Sequence, residues 1–170
     1  MQALGKLFDI VEGFPTVDLA TGANNGDYVN LANCGHVAIV FTSGVGTATD
    51  DPTVTIEQAD TNAGGNVKAL NVVTDPVQVW KKQAATSLAA VTAWTDASGD
   101  ASTNTVTNAT SAEQSLIWVV EFDTDQLDVD NGFDHIRATV ADIGCNAQPG
   151  SLMYILTELR YADSPDNMVS

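Results

Sequence analysis

Hydrophobic and polar residues alternate at a spacing of two along much of the chain, as in β-strands that bury one face. Thr53–Gln58 (TVTIEQ) is the clearest case, with Val54 and Ile56 set between Thr53, Thr55 and Glu57. Tyr28–Asn33 (YVNLAN) and His36–Ser43 (HVAIVFTS) are rich in strand formers, and the Cys34-Gly35 pair between them predicts a tight reversal or bulge. Asn62–Asn66 (NAGGN) is a turn signal. Short strands are expected around Lys68–Val73 and, after Pro76, over Val77–Lys82. Ser87–Trp94 reads as strand or short helix: its alanines favour the helix, and Val91, Thr92 and Trp94 favour the strand.

Thr95–Ser111 (TDASGDASTNTVTNATS) has Val106 as its one large apolar residue and predicts an exposed loop or solvent-facing hairpin. Leu116–Phe122 (LIWVVEF), the most hydrophobic run, predicts a central strand covered on both faces. Phe133–Ala141 and Leu152–Leu159 (LMYILTEL) supply the last strands. Eight or nine short strands with no helix beyond two turns predict an all-β protein, a single antiparallel β-sandwich that is jelly-roll-like.

The ends differ from the middle. Residues 1–14 place Leu4, Leu7, Phe8 and Val11 at helical spacing and close on Phe14-Pro15, predicting a short helical or extended arm. Such an arm either plugs the open end of the sandwich or docks onto a partner. The sandwich is expected over residues 15–162 and a flexible polar tail over 163–170.

Composition narrows the function. Ala, Val and Thr fill over a third of the 170 residues, and 22 acidic against 6 basic residues give a net charge of −16. No Lys or Arg occurs between Lys6 and Lys68, nor between Lys82 and Arg137, so no basic stripe exists to neutralise phosphates. Neither a nucleic acid nor an anionic membrane is expected as partner. No apolar run is long enough to cross a membrane as a helix, and MQALGKLFDIVEGFP lacks the pattern of a secretory signal. Without such a signal Cys34 and Cys145 are expected as two separate thiols, and Asn108-Ala109-Thr110 carries no glycan.

The motifs yield little chemistry. Thr42–Gly46 lacks the first glycine of a nucleophile elbow, and Gly44-Val45-Gly46 has no lysine to hold a phosphate. Cys34-Gly35-His36 suggests a ligand pair, but the remaining candidates, Cys145 and His135, are each alone and far away. Structural zinc sites usually draw on close-spaced pairs, so a buried thiol at a strand start is favoured. Glu121, Asp123, Asp125, Asp128, Asp130 and Asp134 crowd six carboxylates into fourteen residues, a donor set suited to Ca²⁺. Starting from Asp123 or from Asp128, however, the glycine of a calcium-binding loop falls in the wrong place, and a solvated connection is favoured. Trp80 and Trp94 are candidates for a sugar-stacking platform, although tryptophan in a strand usually packs inward; Trp118 is assigned to the core. No catalytic residue, metal ligand or cofactor is expected.

The order of several segments does carry information. Leu7–Val11 (LFDIV), Gly26–Leu31 (GDYVNL), His36–Phe41 (HVAIVF), Val54–Leu70 (VTIEQADTNAGGNVKAL), Trp80 in VWKK, Leu127–Ile136 (LDVDNGFDHI) and Tyr154–Tyr161 (YILTELRY) occur in sequence across most of the chain. Together they resemble the head decoration, or cement, proteins of tailed bacteriophages. The resemblance implies a non-enzymatic structural protein on the capsid exterior, present in the host cytoplasm during assembly. It would span neighbouring copies of the major capsid protein and stabilise the shell. A homo-oligomer is implied too, a trimer before a dimer, with Leu4, Leu7, Phe8 and Phe14 as contacts to the capsid or a neighbouring copy. The alternative is a tail- or fibre-associated β-sandwich that recognises host glycans, and an enzyme using paired carboxylates ranks third.

Overall fold

The computed structural model describes residues 4–74, 77–84 and 93–160. Two antiparallel sheets pack face to face. The first has the strand order β1 (Asp9–Asp18), β13 (Pro149–Thr157), β4 (His36–Ser43), β11 (Ser115–Asp123), β7 (Gln78–Ala84) and β8 (Thr95–Asp96). The second runs β2 (Asn24–Asn25), β12 (His135–Val140), β5 (Thr53–Ala59), β10 (Thr105–Thr107) and β9 (Ala101–Ser102). Beside this path, β3 (Val29–Asn30) also pairs with β12, and β6 (Val67–Ala69) with β5.

Because β2 and β3 lie on the same side of β12, they act as one interrupted strand. Counting them so leaves eight principal strands. Numbered one to eight along the chain, they run 1-8-3-6 in the first sheet and 2-7-4-5 in the second. That is the strand order of a jelly roll, and β6 to β9 are added to it between β5 and β10.

Alternation along the strands builds the core. Val37, Ile39 and Phe41 of β4, Leu116, Trp118, Val120 and Phe122 of β11, and Leu152, Tyr154 and Leu156 of β13 face inward. They meet Val54 and Ile56 of β5 and Ile136, Ala138 and Val140 of β12. The rings of Phe41 and Trp118 stack with centroids 5.9 Å apart. Tyr154 is fully buried, and its hydroxyl accepts from the Ala138 amide at 2.8 Å, tying the two sheets together. Gly26 makes room for that contact: a Cβ there would lie 2.7 Å from the Ala138 carbonyl and 2.8 Å from the Tyr154 hydroxyl.

Three expectations change. The helical turn at the start covers only Leu4–Leu7, and β1 begins at Asp9, so the chain enters the first sheet before the boundary placed at residue 14. Gly13 and Pro15 are accommodated because β1 is an edge strand with register shifts at both sides of Phe14. Phe14 is 6% exposed and belongs to the core, so it is withdrawn as an outward contact. Of the two readings of Thr95–Ser111 the hairpin holds, since β9 pairs with β10, but it does not face solvent throughout: Val106 is fully buried and β10 pairs with β5. Finally, β11 has one face in the core while Ile117 and Val119 point outward, where no described element forms a second layer. Most of the ambiguous segment 87–94 and the tail 163–170 lie outside the described residues.

Candidate interaction face and tryptophan groove

The two sheets present very different outer surfaces. On the second sheet the outward positions are Thr53, Thr55, Thr105, Thr107 and Thr139, with an ion pair between Arg137 and Glu57. The Arg137 guanidinium also lies 4.4 Å from the ring centre of Tyr28, whose hydroxyl donates to Glu57 at 3.2 Å. Burial, followed by the Glu57 charge, pushes the Tyr28 hydroxyl pKa up. This surface is suited to water.

The first sheet is apolar on its outer side as well. Register places Glu12, Met153, Val40, Val119 and Trp80 in one row across β1, β13, β4, β11 and β7. An adjacent row carries Ile10, Ile155, Ala38, Glu121 and Gln78, and the row on the other side holds Ser151, Thr42, Ile117 and Lys82, with Ile117 its one apolar residue. Ile10 is 51% exposed. Met153, Val40, Val119 and Trp80 of the first row, Ile10, Ile155 and Ala38 of the second, and Ile117 thus make an apolar strip that crosses five strands. Of the predicted contacts, Leu7 is 41% exposed and Phe8 half-buried just before β1, and the Leu4 side chain lies outside the described residues.

A groove of about 380 Å³, lined by Trp80, Trp94, Val119 and Glu121, opens at the β7 end of this face. Strand parity explains it. Val79 points into the core, so Trp80 points out, and pairing of Thr95 with Lys81 brings Trp94 beside Lys82. The Lys82 ammonium lies 4.8 Å from the Trp94 ring centre. Trp80 donates its indole N–H to Gln78 at 3.1 Å, and Trp94 is 47% exposed. The expectation that strand tryptophans pack inward applies to Trp118 alone.

The acidic cluster does not converge. Asp123 lies 3.0 Å from Nδ1 of His36, Asp134 lies 2.6 Å from Nδ1 of His135, and Asp128 pairs with Lys68. Lys68 and then Asn131 hold the Asp128 carboxyl below the usual range. Separate partners pull these carboxylates apart, and no three potential metal ligands gather among the described residues. His36 and His135 lie in different sheets.

Cys34 is buried just before β4, and burial raises its thiol pKa to about 11, whereas Cys145 is exposed. At pH 8 the Cys34 thiolate is then about a thousandfold less abundant than the thiol. A thiol-reactive disulfide reagent is therefore expected to titrate one cysteine in the native protein and two in denaturant. Two fast-reacting native thiols would contradict the burial of Cys34.

In comparisons with known proteins the chain matches no family model, no curated protein and no solved structure.

Proposed function

We propose that the protein is a non-enzymatic structural component of a phage virion that binds the outer surface of the capsid and stabilises it. The observation that carries this reading is the contrast between the two outer faces: threonine-rich on one sheet, apolar on the other. A protein with a net charge of −16 resists self-association and contact with other acidic surfaces unless an apolar face outweighs the repulsion. The outer face of the first sheet has that character on β1, β13, β4 and β11: its three rows carry Glu12, Glu121 and Lys82, and Asp96 where the first row runs on to β8, and its remaining positions are uncharged and mostly apolar. The partner is the major capsid protein. Contacts of the same kind join copies of the chain, as a trimer before a dimer, around local symmetry axes of the shell.

Removing residues 1–14 does not test this reading cleanly, because it would also delete the first part of β1. The test is sedimentation of the purified full chain with expanded shells of its phage that lack it. Saturable co-sedimentation at a fixed ratio to the major capsid protein is expected. Shells that leave the chain in the supernatant at all concentrations would overturn the proposal.

A further inference from the structure

We infer that the groove between Trp80 and Trp94 is a binding site for a saccharide, a second binding function that does not depend on attachment to a capsid. Two indoles supply flat apolar surface on which the C–H face of a pyranose ring can stack. Glu121 lines the same groove, and its carboxylate has no hydrogen-bond partner among the described residues, so it is free to accept from sugar hydroxyls. Lys82, held against Trp94, supplies a donor at the rim. Donor, acceptor and stacking surface thus lie together, and a sugar ring offers the matching set. At about 380 Å³ the groove falls in the size range of small-molecule sites, about 300–1,000 Å³.

Other ligand classes fit less well. An organic cation would meet the Lys82 ammonium already placed over Trp94. A phosphate-bearing ligand would face a chain with net charge −16 and a carboxylate inside the site. A purely apolar ligand would cover Glu121 without giving it a hydrogen bond. The β11 wall of the groove is two strands from Ile155 and three from Ile10, and its β7 wall one strand further from each. Binding there leaves the β1–β13 side of the face free.

The test is titration of the full chain with maltoheptaose, cellopentaose and chitotetraose, followed by tryptophan fluorescence and calorimetry. Saturable binding of at least one sugar is expected, with a change in tryptophan emission. Trp94→Ala, an exposed position, is expected to weaken it about tenfold or more, about 1.4 kcal/mol. Glu121→Gln is expected to weaken it severalfold, and Trp80→Phe to retain most of it. Trp80→Phe also guards against loss of fold at β7. No saturable binding of any of the three up to millimolar concentrations would overturn the inference, as would binding that Trp94→Ala and Glu121→Gln leave unchanged. Tighter binding of tetramethylammonium than of every sugar would also overturn it and assign the groove to cations.

Discussion

Ile155→Asp is expected to abolish attachment to the shell while leaving the fold intact. Ile155 lies on β13, on the outer face of the first sheet, between Ile10 of β1 and Ala38 of β4. In the free protein an aspartate there is partly solvated and costs about 1 kcal/mol or less through strand propensity. In an apolar contact the same carboxylate loses its water without gaining a partner, at a cost of several kcal/mol. Shell affinity should therefore fall at least about a hundredfold, about 2.7 kcal/mol, with little change in melting temperature. Ile155→Lys should do the same. Loss with Asp but full binding with Lys would mean that charge, and not apolar burial, drives the contact. Unchanged binding of both would move the contact to another surface.

Trp118→Ala is expected to lower stability by about 3–5 kcal/mol, enough to unfold a marginal domain. Trp118 is fully buried in β11, stacks on Phe41, and stands at the centre of the strand that joins β4 to β7. Truncation leaves a cavity that the paired strands on either side cannot close. Its buried indole N–H has no hydrogen-bond acceptor among the described residues, so a second variant separates volume from polarity. Trp118→Phe removes that unpaired donor and keeps most of the ring, so it should cost well under half as much. Chemical denaturation followed by circular dichroism measures both. Equal losses for the two would show that the indole N–H, and not the filled volume, matters.

Most of this architecture is readable from alternation. Thr53–Gln58, His36–Ser43 and Leu116–Phe122 each coincide with a strand to within a residue or so. β1 escaped because Leu4, Leu7 and Phe8 lie at helical spacing and because Gly13 and Pro15 break the period of two. An edge strand tolerates both, since its outer backbone needs no partner. That the Thr95–Ser111 hairpin joins β5 escaped because β10 is only Thr105–Thr107, and a single buried Val106 in a polar stretch reads as chance.

The apolar outer face of β11 was visible in the sequence but read the wrong way. LIWVVEF is apolar at both parities, which suggests cover on both sides, yet the outer parity Ile117, Val119, Glu121 ends in a charge. The groove was legible in the same manner. A buried Val79 sends Trp80 outward, so the parity of VQVWKK already placed that indole on the surface. Trp94 had no such signal, because its position depends on the short pairing of β8 with β7.

The proposed shell attachment is tested most directly by the copy number of this chain in purified particles of the phage that the proposal takes to encode it. Quantitative mass spectrometry against the major capsid protein gives that number. A ratio near one, or a simple fraction such as a third or two thirds, is the expected result and places the chain throughout the shell. A handful of copies per particle would contradict shell decoration and move the protein to the tail or fibres, and its absence would remove it from the virion altogether.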